Sequence, residues 1–321
     1  MRQALAITFP WRFSLLLKKL KAHLVHSHFS SHIDWQLQSA IKTVGIPLVW
    51  TIHGLYLSRK SEGVAPWKNA MAIIRSSHRG HVVGVSDAVV QEFVNYGVGS
   101  PSEIAKIANG IDLDNYQNAQ RHNPPLRDHW GIPRNAILFG STGRLTIEKA
   151  YEVWVQAARQ LVNQHPERQN LYFVIAGEGG QRQRLEHEIV KHDLAGRFIL
   201  LGNQTNIPTL LREFDVFVLP SRSESFGISL VEAMAAGLPC IASTVGGLPE
   251  ILDSSCGMLV PPESPDALCQ AMGQMLDRGR RQILAAAAPT VAQKFSIEAC
   301  AEKYAALYHR CLASANHAPP R

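Results

Sequence analysis

Cysteine pairs and long apolar runs are both missing from this sequence of 321 residues. Five cysteines are present, but no two stand in a Cys-x-x-Cys arrangement, so neither a zinc knuckle nor a disulfide framework is indicated. No run of about 18 apolar residues occurs, which argues against a membrane-spanning helix. We therefore expect the cysteines to be buried apolar side chains and the protein to be cytoplasmic.

Charged residues are also few, at 18% of the chain against 46% hydrophobic residues, which is the composition of a globular protein. The formal net charge of +6 would suit nucleic acid, an anionic membrane or an anionic small substrate. Neither an RNA-binding aromatic signature nor a helix-turn-helix pattern is present, so we expect no nucleic-acid partner. The basic residues concentrate in "WRFSLLLKKLKAHL", residues 11–24. This segment favours a buried helix, with peripheral contact at the inner face of a membrane as the alternative.

Apolar strand-like runs alternate with helix-like runs along most of the chain, one predicted helix covering residues 66–77. Runs such as "PLVWTI", "AILFG" and "LYFVIAG" are nearly continuous in apolar residues, as in parallel strands that are buried on both faces. A polar, proline-containing stretch interrupts the alternation before residue 136. The pattern predicts an α/β protein with two Rossmann-like doubly wound domains, residues 1–122 and 123–294.

Polar residues that directly follow the strands are candidates for a site, because ligands of this fold class bind beyond the carboxyl ends of strands. Arg144 and Lys149 follow one strand and precede a helix, where two cations and free N–H groups favour phosphate. The alternative is that both are solvated surface charges. Glu178, Gly179 and Gly180 follow the next strand, where the glycines indicate either a close ligand or a plain tight turn.

Two carboxylates flank the start of a later helix in "PSRSESFGISLVEAMAAG". Gly227 allows the tight turn, and Glu224 and Glu232 lie on either side of it. Carboxylates repel phosphate but accept hydrogen bonds from the hydroxyls of a sugar or a ribose. The alternative is that Glu224 is a solvated loop residue and that Glu232 complements the helix dipole.

Histidines follow two strands in the first half of the chain. His53 comes directly after "PLVWTI", where a ligand would lie, although a lone histidine is more often structural. His26 and His28 form a His-x-His pair. A metal site is conceivable there, but without further ligands the pair favours packing in the core or the cleft.

Taken together, "GRLTIEK", "AGEG", "VFVLPSRSESFGISLVEAMAAGLPCIAS" and "GGLPEIL" resemble the C-terminal domain of glycosyltransferase family 4, the retaining glycosyltransferases of the GT-B fold. "VHSHFS", "TIHG", "GVSDAV" and "ANGID" resemble that family's N-terminal domain. The resemblance implies two domains that face a central cleft. It also implies that a last helix, within residues 295–321, packs back on the first domain.

Roles for individual residues follow from the resemblance alone. Arg144 and Lys149 would hold the donor diphosphate, Glu224 the hydroxyls of the donor sugar and Glu232 those of the ribose. His53 would lie at the reaction centre. Backbone N–H groups facing sugar and phosphate would come from Phe226, Gly227 and Ile228.

The implied reaction moves a sugar from a nucleotide sugar to a hydroxyl of a sugar or lipid-linked acceptor, with retention of configuration and without a required metal or other cofactor. Synthesis of a surface polysaccharide, lipopolysaccharide or glycolipid is the expected setting. The alternatives are a truncated, catalytically impaired nucleotide-sugar-binding protein, a subunit that needs a partner and, less favoured, a sugar-nucleotide epimerase.

Two departures from the family pattern are visible. The family usually has glycine after the lysine of the Gly-Arg motif, where this chain has Ala150. We expect little damage, because alanine is small and suits a helix. The first βαβ unit of the family is also missing ahead of "VHSHF", so we expect a shortened N-terminal domain.

Overall fold

The computed structural model describes residues 2–28, 35–54, 80–95, 99–100 and 102–316. It divides into two compact units, Met1–Asn109 with Glu298–Arg321 and Gly110–Ile297. The domain boundary that we expected after residue 122 lies after residue 109, because the short helix Leu113–Gln117 packs within the second unit. The helix predicted over residues 66–77 lies outside the described residues.

The first unit is built on a parallel sheet. Its strands have the order β1-β2-β3-β4, and each neighbouring pair of these four is parallel. β2 is buried along its whole length, as its unbroken apolar run predicts. The elements are α1 (Arg2–Lys19), β1 (Val25–Ser27), α2 (Trp35–Val44), β2 (Leu48–Ile52), β3 (Gly80–Gly84), α3 (Asp87–Asn95) and β4 (Ile104–Lys106).

The second unit begins with α4 (Leu113–Gln117) and α5 (Leu126–His129) and then alternates strand and helix. Its strands are β5 (Ile137–Thr142), β6 (Leu171–Ala176), β7 (Phe198–Gly202), β8 (Val216–Leu219), β9 (Cys240–Ser243) and β10 (Gly257–Val260). Its later helices are α6 (Tyr151–Gln164), α7 (Arg182–Lys191), α8 (Ile207–Leu211), α9 (Ile228–Ala235), α10 (Leu248–Ile251), α11 (Pro265–Gln274) and α12 (Arg278–Ala292), and α13 (Ile297–Asn316) then closes the chain.

The sheet of the second unit is parallel with the strand order β10-β9-β8-β5-β6-β7. The order reverses between β5 and β8, which makes the carboxyl ends of these two strands the topological switch point where doubly wound folds bind ligands. The predicted α/β class with two parallel sheets is confirmed.

Aromatic side chains fill the core of the second unit beneath α6. Phe139 of β5 stacks on Phe173 of β6 with ring centroids 5.6 Å apart, and Trp154 meets Phe198 at 5.1 Å. These four rings are at most 4% exposed. Burial of each such side chain stabilises the fold by about 1.5–3 kcal/mol, which fixes the strands whose ends carry the site.

Helix α13 packs in the first unit. Its Leu307 and Cys311 are buried in one apolar cluster with Val49, Val83 and Ile107. The five cysteines are all free, and four of them are buried. Within the described part of the chain, no helix is both long and apolar enough to cross a membrane.

Candidate donor-binding site

The turns that follow β5 and β6 lie directly against each other. A Cβ atom on Gly177 would lie 1.9 Å from the carbonyl oxygen of Gly143, and one on Gly179 would lie 2.4 Å from that of Leu145. The Leu145 N–H in turn donates to the Glu178 carbonyl at 2.8 Å. These glycines therefore serve close packing of backbone on backbone, and Gly180 is left with open space beside it.

The turn after β5 leads through a short 3₁₀ segment, Ile147–Lys149, into α6. Ala150 joins the two with φ +51° and ψ +36°, a left-handed conformation, and is fully buried. Our expectation that alanine suits this position as a helical residue was wrong, because a left-handed backbone strains any side chain with a Cβ. The position is one that glycine would occupy without strain.

Lys149 and Glu224 form the central ion pair of this edge. Lys149 Nζ lies 2.6 Å from Glu224 Oε2, and each side chain is only 18% exposed. Ser221 Oγ also donates to Glu224 Oε2, at 3.4 Å. The pair joins the turn after β5 to the turn after β8, the two strands of the switch point.

Helix α9 starts at the same edge. Gly227 precedes it with φ +114°, and a Cβ there would lie 2.5 Å from Leu248 Cδ2, so glycine is required. The first N–H groups of a helix have no partner within the helix, so those of Ile228 and Ser229 are free to meet an anion. Phe226 is buried against Phe295 with ring centroids 5.6 Å apart, which anchors the turn.

Glu232, one turn into α9, is bound by a residue outside the predicted set. Tyr116 Oη donates to Glu232 Oε1 at 2.7 Å. Burial raises the pKa of Glu232, while the Tyr116 hydrogen bond and the charge of Lys149 act in the opposite direction. The pKa of Tyr116 is itself raised by burial and by Glu232. The carboxylate is thus held by one oxygen, and its second oxygen can accept a hydrogen bond from a ligand hydroxyl.

Arg222 ties the same two turns together at a second place. Its Nη2 lies 2.6 Å from Glu152 Oε1, and Nη1 donates to the Ile147 carbonyl at 2.7 Å. It also pairs with Glu263, and its backbone N–H donates to Glu148 O at 2.8 Å. Since Glu152 is buried, Arg222 fixes the 3₁₀ segment that carries Lys149.

A histidine and tyrosine cluster occupies the carboxyl ends of β1 and β2 in the first unit. His53 Nε2 lies 3.2 Å from His28 Nδ1, and His26 contacts Tyr308 Oη at 2.5 Å and Thr51 Oγ1 at 2.7 Å. Burial, with the neighbouring histidines, lowers the pKa of His26 to about 4. Burial and His28 also lower the pKa of His53. Both rings are therefore neutral at pH 7.

Metal-ligating residues do not cluster in the described ranges, where no three His, Cys, Asp or Glu side chains are placed to hold an ion. The chain contains an Asp-x-Asp triplet at Asp112–Asp114. The first of these carboxylates caps α4 by accepting the Asn115 N–H at 3.4 Å.

The candidate residues fall in two places. Lys149, Glu224 and Glu232 belong to one edge of the second unit, together with the Phe226–Ile228 turn. Arg144 lies in the turn after β5 with an exposed side chain. His53 belongs to the first unit, so its place at a reaction centre stays a prediction. The proposed roles of all these residues also stay predictions.

Tyr116 and Arg222 are the residues that the sequence reasoning missed. Tyr116 follows closely on the quoted "ANGID", and Arg222 lies inside the quoted "PSRSES" stretch. Position near a motif was the available signal, and it does not reveal the partner of either side chain.

Comparison with models of known protein families places the chain in one of them. Residues 123–290 match the model described as Glycosyl transferases group 1, and residues 1–115 match Glycosyltransferase Family 4. These matches cover most of the chain. The chain belongs to glycosyltransferase family 4, with the GT-B fold.

Curated relatives come from several bacteria. A protein of Catenulispora acidiphila named D-inositol 3-phosphate glycosyltransferase 2 is 28% identical over 80% of this chain and 63% of its own length. An Escherichia coli protein, named UDP-Gal:alpha-D-GlcNAc-diphosphoundecaprenol alpha-1,3-galactosyltransferase, is 28% identical over 82% of this chain and 68% of its own. The chain thus spans about two thirds of the length of these relatives.

Solved structures share the fold. A glycosyltransferase of Rickettsia africae matches with a TM-score of 0.83 and 21% identity, over 96% of this chain and 81% of its own. HepE of Anabaena, solved in complex with UDP, matches with a TM-score of 0.81 and 22% identity, over 93% of this chain and 82% of its own.

Proposed function

We propose that the protein transfers a sugar from a nucleotide diphosphate sugar to an acceptor hydroxyl, with retention of configuration. The observation that carries the proposal is the edge of the second unit. There Glu224, paired with Lys149 at 2.6 Å, and Glu232 flank the open N-terminus of α9. Family membership, and relatives named as glycosyltransferases, support the same activity.

The basic side chains of the site suit the diphosphate of the donor. Lys149, Arg144 and the free N–H groups of Ile228 and Ser229 would neutralise the negative charge that grows on the departing nucleoside diphosphate. Lys149 pairs with Glu224 at 2.6 Å, so a diphosphate would share or replace that carboxylate. The proposed mechanism draws its charge neutralisation from these groups and uses no metal.

The two carboxylates suit hydroxyls. Glu232 would accept hydrogen bonds from the ribose with the oxygen that Tyr116 leaves free, and Glu224 would hold hydroxyls of the sugar. We propose His53 at the reaction centre, where a neutral imidazole could accept or donate one hydrogen bond. Retention is explained by attack of the acceptor on the same face, guided by the leaving phosphate.

The acceptor is proposed to be a sugar or lipid-linked hydroxyl, in surface polysaccharide, lipopolysaccharide or glycolipid synthesis. The E. coli relative is named for a diphosphoundecaprenol-linked sugar. Helix α1 and the two residues after it expose Trp11, Leu15, Leu16 and Leu20, at 46–66% of their surface. Exposed basic side chains stand among them, and no acidic residue precedes Asp34. This composition suits peripheral contact with the anionic inner face of a membrane.

Vesicle sedimentation tests the membrane contact. The protein should co-sediment with phosphatidylglycerol vesicles and stay in solution with phosphatidylcholine vesicles. Lys18→Gln with Lys19→Gln should release it, whereas Lys191→Gln, at an exposed lysine of α7, should not. Equal binding by both variants would remove the proposal.

Incubation with UDP-, GDP- and ADP-sugars, followed by nuclear magnetic resonance of the products, tests the activity. Transfer, or slow hydrolysis, that keeps the donor's anomeric configuration supports the proposal. Donor binding without turnover would favour the impaired or partner-requiring form. Isomerisation of the donor would favour an epimerase.

A further inference from the structure

Four arginines from separate parts of the second unit line one cavity of about 340 Å³. Arg121 follows α4, Arg212 follows α8, and Arg278 and Arg281 lie in the first turn of α12. The cavity floor includes residues that directly precede β8 and β9. It therefore opens at the amino ends of these strands, the edge opposite to the donor-binding site.

Arginines outnumber carboxylates in the lining of this cavity by four to one. Asp215 is the acidic residue of the lining, and its Oδ2 is already bound by Arg127 at 2.9 Å and by the Leu138 N–H at 2.8 Å. In the part of the chain that the structure describes, no carboxylate lies within ion-pair distance of the four lining arginines. Like charges held together in this way repel one another, so a bound anion would stabilise the arrangement.

Hydrogen-bond donors remain available on the arginines. Arg212 Nη1 donates to the carbonyl oxygen of Ala236 at 3.1 Å, and Arg281 Nη1 donates to that of Met275. These contacts orient both guanidinium groups and use one of the five N–H donors that each carries. Burial has the largest effect on the pKa of Arg281 and lowers it. Asp215 and Asp277 act to raise this pKa, and Arg168 and Arg278 act to lower it. The Arg281 side chain is therefore partly desolvated, and the nearby carboxylates do not fully offset the effect of burial.

The size and chemistry of the cavity define the ligand. Small-molecule sites have volumes from roughly 300 Å³ upwards. Arginine presents a planar fork that matches the oxygens of phosphate. We propose that this cavity binds a small phosphate-bearing anion, either inorganic phosphate, diphosphate or a sugar phosphate. This site is independent of the donor-binding site and goes beyond the proposed transfer reaction.

Helix α9 connects the new site to the donor edge. Its first residues carry the free N–H groups, and Ala236, directly after its last residue, accepts the bond from Arg212. An anion that draws Arg212 away from Ala236 would act on the C-terminal end of the helix whose other end faces the proposed donor. The proposed anion site and the proposed donor site thus lie at opposite ends of one helix.

Calorimetry on the full chain tests the proposal, with inorganic phosphate, diphosphate and glucose 1-phosphate as the three probes. Titrations are made in the Lys149→Ala background, so that diphosphate binding at the proposed donor site is weakened. We expect at least one probe to bind. The double variant Arg121→Gln/Arg278→Gln should weaken its affinity by about tenfold or more, since each lost charged hydrogen bond is substantial.

Arg280→Gln is the matched control, since it removes an exposed charge from the same helix turn without lining the cavity. It should leave the affinity within about twofold. Equal affinity of the double variant and its parent would overturn the site, as would failure of all three probes to bind. Neither result depends on whether the protein transfers sugar.

Discussion

Tyr116 Oη donates a hydrogen bond to Glu232 Oε1 at 2.7 Å, and both residues belong to the second unit. The contact joins the short helix α4 to α9 and holds one oxygen of a half-buried carboxylate. It explains why α4 belongs to the second unit although it lies in the polar stretch between the two sheets. It also makes Tyr116 a positioning residue for the proposed ribose contact.

Tyr116→Phe should narrow the pH range of donor binding. The hydrogen bond lowers the pKa of Glu232 against the opposing effect of burial, so its loss should raise that pKa further. A protonated carboxyl is a poorer acceptor for ribose hydroxyls, so the affinity for nucleoside diphosphates should fall as the pH drops. In the variant this fall should begin at a higher pH than in the wild type. Nucleoside diphosphate affinities measured between pH 5 and 8 check this. Identical pH profiles would exclude a positioning role.

Arg222→Ala should destabilise the second unit by about 1–3 kcal/mol, because it leaves the buried carboxylate of Glu152 without its 2.6 Å partner. Arg184→Ala is a matched control on the same carboxylate, since Arg184 Nη2 lies 3.7 Å from Glu152 Oε1 and its side chain is 57% exposed. Its cost should stay below about 1 kcal/mol. Urea unfolding compares the two variants, and similar costs would contradict the role given to Arg222.

Ala150→Gly should stabilise the protein by about 0.5–1 kcal/mol, because glycine adopts φ +51° without strain. Ala157→Gly, in the buried middle of α6, should instead destabilise the protein by about 1 kcal/mol. Thermal unfolding of both variants gives the comparison. A lower melting temperature for Ala150→Gly would show that the left-handed turn is not strained.

The histidine and tyrosine cluster around His26 should make the first unit less stable at acidic pH. Its folded pKa of about 4 lies below the ordinary value of 6.5, so the unfolded chain binds a proton first. Stability should be fully present above pH 6.5 and decline as the pH falls towards 4. Amide hydrogen exchange of β2 between pH 7 and 4.5, corrected for the intrinsic exchange rate, measures this. His26→Phe should flatten the decline, and an unchanged decline would assign it to other groups.

The fold could be predicted because its signal is local. The apolar runs at Leu48–Ile52, Ile137–Thr142 and Leu171–Ala176 became buried parallel strands, and residues directly after them came to one edge of each sheet. Lys149 and Glu224 could be named as candidate site residues because they follow β5 and β8. Their mutual ion pair was not predicted, since it depends on how β5 and β8 lie side by side.

The remaining features depend on tertiary contacts or on backbone angles that the sequence does not display. Ala150 carries no sign of its left-handed conformation, because alanine ordinarily favours a right-handed helix. Tyr116 and Glu232 are separated by 116 positions along the chain. The arginine cavity likewise collects side chains from three segments, and each looks like an ordinary surface charge when taken alone.

Binding of nucleoside diphosphates to the whole protein tests the central claim most directly. UDP, GDP and ADP are titrated by calorimetry into the wild type, Lys149→Ala and the surface control Lys191→Ala. The account predicts that at least one nucleotide binds the wild type and the control alike, and that Lys149→Ala weakens it by about tenfold or more. No binding by any of the three nucleotides, or equal affinity in Lys149→Ala, would contradict the donor-binding site.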